Sequence, residues 1–241
     1  MCTLTWLRNG GGTGTYEVFF NRDEKKTRSV AKPPKPFTVD GVSFLAPIDP
    51  DSRGTWMFAN EHGLVVCLLN RWEQDLRAPR EPVLSRGKLV WGLSAMRYVP
   101  EVGEGLQRAG LENVRPFTLV AFDRVGEAGW DWDGEVLADA KLELPVSSSS
   151  FHSEQVLAAR RARLQDYRRG GAVRRSLLEE FHGDTHGGPS ASTVRMNRPD
   201  AQTVSRSVVN VGTAAVAWTY LAEPAGLEGS PAVTECSLPA Q

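Results

Sequence analysis

Residues 63–70, Gly63-Leu64-Val65-Val66-Cys67-Leu68-Leu69-Asn70, are apolar at nearly every position. A strand with one face in water alternates apolar and polar residues, because successive side chains point to opposite faces. This run does not alternate, so as a strand it must be covered on both faces. Strand-like runs at 3–8, 15–22, 37–45 and 54–60 precede it, the first two joined by the turn-forming Asn9-Gly10-Gly11-Gly12-Thr13-Gly14. Helical character follows over 84–110, broken near Tyr98-Val99-Pro100. A strand at 117–122, strands within 127–143, helices at 152–169 and 173–181, and strands at 203–210 and 213–221 complete the order. That order suits an α+β arrangement of layers with mainly antiparallel sheets, as a single domain over 1–241. Pattern alone does not separate two layers from four. Lys32-Pro33-Pro34-Lys35-Pro36 reads as an exposed extended connector, and the tail from Glu223, rich in Pro, Gly and Ser, as irregular.

Composition removes several classes. The chain has 241 residues, 41% hydrophobic and 24% charged, with a net charge of −1, which is ordinary for a globular protein. That balance gives no global pull toward nucleic acid or anionic lipid. No apolar run approaches the roughly 18 residues of a membrane span, and charge and glycine over Arg8–Gly14 replace the apolar core of a signal peptide. The expectation is a cytoplasmic protein with no stable membrane insertion and no nucleic-acid partner. Three cysteines, Cys2, Cys67 and Cys236, form no spacing motif and no disulfide framework.

Cys2 carries the most chemistry. A residue as small as cysteine at position 2 permits removal of Met1, which would leave Cys2 with both a thiol and a free α-amine. In an unperturbed setting the thiol titrates at about 8.5 and the amine at about 7.7–8.0, so proton transfer between them is nearly isoenergetic at neutral pH. A base works best with a pKa near the operating pH, and terminal amines activate adjacent nucleophiles. The plain alternative is a small apolar residue on an edge strand.

The start Cys2-Thr3-Leu4-Thr5-Trp6-Leu7, the tetrapeptide Asn21-Arg22-Asp23-Glu24 and the later Gly54-Thr55-Trp56 together resemble the NRDE family. This is the transport-and-Golgi-organisation type, within the N-terminal-nucleophile (Ntn) hydrolase superfamily. The stretch Asn60-Glu61-His62-Gly63-Leu64, closing on Asn70, is similar to the choloylglycine hydrolase and penicillin V acylase branch. The resemblance implies a four-layer αββα sandwich, with Cys2 as nucleophile and Asp23 holding the α-amine. It implies Asn70 as an oxyanion donor and Arg206 as a cation near the nucleophile that lowers the thiol pKa. Alternation puts Asn21 and Asp23 on one strand face and Arg22 on the other, so Asn21 and Asp23 are expected to serve the site ahead of Arg22, which is expected to pair with Glu24 or Asp40. The acylase branch has a second asparagine where this chain reads Ser147-Ser148-Ser149-Ser150; a serine hydroxyl there can donate.

Other features read plainly. His182, Asp184 and His186 lie in a glycine-rich loop without the four ligands of a structural zinc, so neither metal nor cofactor is expected. The arginines from Arg160 to Arg175 read as a solvated helix face. Two functions remain. The first is hydrolysis of a non-peptide C–N bond in an N-acylated small molecule. The second is non-catalytic binding of a hydrophobic or acyl-linked ligand, as in lipid or haem handling.

Overall fold

The computed structural model describes residues 2–9, 14–72, 84–169 and 171–241. Among these, six strands form one antiparallel sheet and seven form another. The first comprises β1 (Cys2–Arg8), β2 (Tyr16–Lys25), β10 (Val146–Ser148), β11 (Ala201–Val211), β12 (Ala215–Ala222) and β13 (Ala232–Pro239), in the order β10-β1-β2-β11-β12-β13. The second runs in sequence order through β3 (Lys32–Val39), β4 (Val42–Ile48), β5 (Met57–Asn60), β6 (Val65–Asn70), β7 (Phe117–Phe122), β8 (Glu127–Trp132) and β9 (Leu137–Asp139). Helices α1 (Arg86–Gly92) and α2 (Val99–Arg108) cover the second sheet. Helices α3 (Ser153–Arg168) and α4 (Arg175–His182) cover the first.

Three cores hold the layers together. Leu4, Val18 and Phe20 of the first sheet meet Met57, Val65, Cys67 and Leu69 of the second. Val66 and Leu68 turn outward to meet Leu89, Val90, Val102 and Leu106 of the helices. On the opposite outer face Phe19 packs with Leu164, Leu178 and Phe181. The result is a four-layer αββα sandwich. Both faces of β6 are covered, as its unbroken apolar run requires. Among the described residues no helix is long and apolar enough to cross a membrane.

Several expectations need correction. Residues 37–45 are not one strand: the chain turns at Asp40 and Gly41, with φ of 49° and 80°, and pairs Val39 with Val42. The proline-rich stretch is no connector but part of β3, whose place at the sheet edge leaves the missing N–H groups harmless. The tail from Glu223 is not irregular throughout, because β13 pairs with β12 from Ala222↔Ala232 to Ala215↔Pro239. Proline at position 100 falls in the first turn of α2, where it costs no hydrogen bond, so the expected break at 98–100 is a helix start.

One hydroxyl ties the sheets across the core. Tyr16, fully buried on β2, lies 2.6 Å from the Gly63 carbonyl and 2.9 Å from that of Phe122. Tyr16→Phe leaves both carbonyls without this donor and should lower unfolding free energy by about 1–2 kcal/mol. Urea denaturation with an unchanged slope checks this; no loss would show that the hydroxyl contributes nothing to sheet docking.

Candidate active site

The antiparallel pairing of β1 and β2 sets Cys2 directly opposite Arg22 and Thr3 opposite Asn21. Paired residues share a face, so Cys2 and Arg22 both look between the sheets, while Thr3 and Asn21 look toward α3 and α4. A cavity of about 250 Å³ opens there, and its walls include Cys2, Arg22, Asp23, Trp56, Asn70 and Trp72. Cys2 is 6% exposed. Burial pushes its thiol above the ordinary value and the Asp23 carboxylate adds to this, while Arg22 and a hydrogen bond from the Asp23 backbone N–H pull the other way.

The Arg22 guanidinium lies 4.1 Å from the centre of the Trp56 ring and bonds Asp49 at 2.6 Å and Glu24 at 3.2 Å. Asp49 also takes two bonds from Arg28, at 2.8 and 3.0 Å, and backbone N–H groups from Asp51 and Ser52. Burial raises the Asp49 carboxyl, but these donors and Arg22 outweigh it and hold the group below its usual range. Trp56 is fixed from behind by a close backbone approach. A Cβ on Gly54 would come within 2.4 Å of the carbonyl carbon of Gly87, and the Thr55 N–H donates to the Gly87 carbonyl. Glycine at 54 is what lets the β4–β5 connection press against the start of α1.

The tetrapeptide departs from expectation at Asn21 and Arg22, whereas Asp23 lines the cavity. Alternation does separate Asn21 from Arg22, but it is Arg22 that shares the Cys2 face. Asn21 is fully buried on the helix side, where its amide nitrogen donates to the carbonyls of His182 and Val194. Its oxygen must then accept from His182 Nδ1, 2.8 Å away, which leaves Nε2 to accept from the Thr5 hydroxyl, also at 2.8 Å. Arg22 pairs with Glu24 as expected, and with Asp49 in place of Asp40. Asp23 sits at the junction. Its carboxylate accepts from Arg160 at 3.1 Å and from the Thr203 hydroxyl at 2.6 Å, and the residue also lines the cavity. A bulge between Thr203 and Ser205 falls here, the kind of irregularity that re-aims side chains beside a site.

Asn70 ends β6 and lines the cavity. Arg206 does not: it lies opposite Asn21 in the register, on the helix side, and pairs with Glu223 at 2.5 Å. It therefore neighbours His182 rather than the thiol. His182 closes α4 instead of lying in a loop, and Asp184 is held by Arg163 and Tyr167.

Sequence reasoning missed Arg160. Expected on a solvated face, it is 1% exposed, and its guanidinium donates to Thr3 Oγ1 at 2.6 Å, to Asp23 and to the Thr193 carbonyl. The available signal was spacing: Val156, Arg160 and Leu164 recur every fourth residue and form the buried stripe of α3.

Comparison with known proteins agrees with this architecture. The family profile described as Transport and Golgi organisation 2 matches residues 1–136, more than half of the chain. Two mutant forms of the conjugated bile acid hydrolase from Clostridium perfringens superpose with TM-scores of 0.63 and 0.56, each at 13% identity. The first alignment covers 99% of this chain and 92% of that one, and the second 98% and 92%. The Caenorhabditis elegans N-acylethanolamine-hydrolyzing acid amidase ortholog superposes with a TM-score of 0.58 at 11% identity, covering 86% and 92%. No curated protein matches by sequence. At such identities the superpositions establish the fold, that of the Ntn hydrolases.

The buried His182 generates a pH prediction. Burial, then Arg206 and Arg160, lower its pKa from 6.5 to about 3. The folded value lies below the unfolded one, so protons favour the unfolded chain, and this stability is complete above about pH 6.5 and lost as pH falls. Between pH 8 and pH 5 the loss from this group should be about 2 kcal/mol. His182→Gln should remove that part of the slope between pH 7 and 5 in denaturant titrations. An unaltered slope would mean that His182 is not held neutral.

Proposed function

The chain belongs to the Transport and Golgi organisation 2 family, and from that premise we propose that it is an Ntn hydrolase that cleaves the amide of an N-acylated small molecule. The observation that carries this reading is the placement of Cys2 opposite Arg22 in a cavity whose walls also include Asp23 and Asn70. With Met1 removed, the α-amine of Cys2 takes the thiol proton. A thiol pushed up by burial yields little thiolate unaided at neutral pH, so it needs such a base. Sγ then attacks the acyl carbon and the carbonyl π pair moves to oxygen, where the Asn70 amide donates. As the oxyanion collapses, the C–N bond breaks and the amine passes its proton to the leaving nitrogen. Water, deprotonated by the same amine, cleaves the thioester and restores the thiol. Asp23, oriented by Arg160 and Thr203, holds the α-amine, and the Arg22 cation favours the thiolate. Asn21 acts from behind by fixing the strand. Arg206 has no direct part.

A second reading keeps the cavity without turnover. Another cavity, of about 270 Å³, shares Arg22 with the first and is walled by Ala31, Val204, Tyr220 and Ala222. The apolar side of that compartment, whose other walls carry Glu24, Lys25, Lys26, Arg28 and Glu223, favours a hydrophobic or acyl-linked ligand, which this reading would hold without cleaving.

Intact mass of natively produced protein separates the two readings. The hydrolase reading expects loss of Met1 in the mature chain. Brief iodoacetamide labelling at pH 7 should then modify Cys2 faster than Cys236 and much faster than Cys67, whose thiol burial raises well above its ordinary value. Cys236 is the more exposed thiol, so its preferential labelling, or quantitative retention of Met1, would move the assignment to ligand binding.

A further inference from the structure

The row of paired residues that starts at Cys2 continues across the first sheet. Cys2 lies opposite Arg22, Arg22 opposite Ser205, and Ser205 opposite Ala222. Arg22 therefore stands between the thiol and the far end of the row, its guanidinium bonded to Asp49 and Glu24 and stacked on Trp56. Beyond it lies the compartment of about 270 Å³. Its floor is apolar. Tyr220 belongs to the core between the sheets, Ala222 and Ala31 pack against that core, and Val204 sits at the β11 bulge, outside the pairing with β2. The charges around it do not balance. Glu223, with a side chain 0% exposed, is neutralised by Arg195 and Arg206, and Glu24 is paired with Arg22 and Arg28. Lys25 and Lys26, both exposed on the rim, have no ion-pair partner among the described residues.

We propose that this compartment is a second binding site, distinct from the Cys2 cavity, for a free medium-chain carboxylate, a single alkyl chain with an anionic head. The inference rests on the reading of the compartment as a ligand site and not on turnover at Cys2. Charge decides the head group. The two uncommitted lysines at the mouth attract an anion, and a cationic head would meet like charge there. The floor decides the tail. Each methylene buried against Ala31, Val204, Tyr220 and Ala222 raises affinity by roughly a factor of four. Size decides the rest. Cavities for drug-sized ligands span about 300–1,000 Å³, so a volume below that range suits one short chain rather than a macrocycle or a two-chain lipid. Arg22 forms part of both walls, which makes it the partition between the two sites.

Calorimetric titration of the full-length protein with octanoate, 1-octanol and octyltrimethylammonium, all kept below micelle-forming concentrations, tests head and chain separately. Octanoate should bind once per chain and more tightly than octanol, with the cation weakest. Raising the ionic strength should weaken octanoate alone, because charges at an exposed rim are screened. The double variant Lys25→Glu with Lys26→Glu changes only exposed side chains and should weaken octanoate by about tenfold while leaving octanol unchanged. Ala222→Trp fills the floor and should abolish binding of octanoate and octanol together. Where the tryptophan lowers the Tm, the lysine variant still decides the test. Brief iodoacetamide labelling locates the probe: saturating octanoate should leave Cys2 open to the reagent. Protection of Cys2 that survives Ala222→Trp would put octanoate in the Cys2 cavity and overturn the inference. Octanoate binding no tighter than octanol or the cation would overturn the anionic assignment. If none of the three probes binds saturably, the reading of the compartment as a ligand site falls, and this assignment falls with it.

Discussion

The register of β1 against β2 decides what the cavity contains. Side chains on a strand alternate with a period of two, so a slip by one residue exchanges every inner side chain for an outer one. In the observed register Cys2, Leu4, Phe20 and Arg22 look inward, and Thr3, Thr5, Asn21 and Phe19 look toward the helices. Both faces hold this choice. Inward, Leu4, Val18 and Phe20 are buried between the sheets. Outward, a chain of hydrogen bonds from Thr5 through His182 to Asn21 joins β1, α4 and β2, and Arg160 pins Thr3. A slip would carry the strand's polar side chains into the apolar layer between the two sheets and leave His182 and Arg160 without these partners.

Charge buried beside the strand ends completes the frame. Asp23 and Arg160 form an ion pair with side chains 0% and 1% exposed. Removing one partner of such a pair leaves an uncompensated buried charge, at a cost of about 3–5 kcal/mol. The pair is cross-braced by Thr3, Thr193 and Thr203, so both terminal guanidinium nitrogens of Arg160 and both Asp23 oxygens are hydrogen-bonded. The four residues Asn21-Arg22-Asp23-Glu24 thus go to separate destinations: the helix layer, the cavity, the junction between them and the rim. The polarity of this stretch is structural and chemical at once, and neither role alone accounts for all four residues.

Much of this was legible in the chain. The unbroken apolar run at 63–70 demanded cover on both faces, and β6 has it. Helix and strand order followed from periodicity. What could not be read was anything that depends on pairing. Alternation told which residues of the tetrapeptide share a face, but only register told which face carries Cys2, so Arg22 and Asn21 were ranked the wrong way round. Strand β13 exists because β12 offers it an edge, and its flanking Pro and Gly hid it. The turn at Asp40 and Gly41 lay inside a run otherwise suited to a strand. Arg160 was submerged among neighbouring arginines, and only its spacing from Val156 and Leu164 marked it as inward. Burial changed the electrostatics too: it raises the thiol that Arg206 was expected to lower, and Arg206 lies on the other side of the sheet.

The central claim is that Cys2, once N-terminal, is the residue that receives the acyl group. The direct measurement is peptide mapping by mass spectrometry after brief exposure of natively produced protein to an activated acyl ester, quenched in acid to preserve thioesters. The account predicts a single acyl group on the Cys2 thiol, released by hydroxylamine, with Cys67 and Cys236 unmodified. An adduct on Cys236, or no acyl-protein while the cavity still binds the ester, would contradict it.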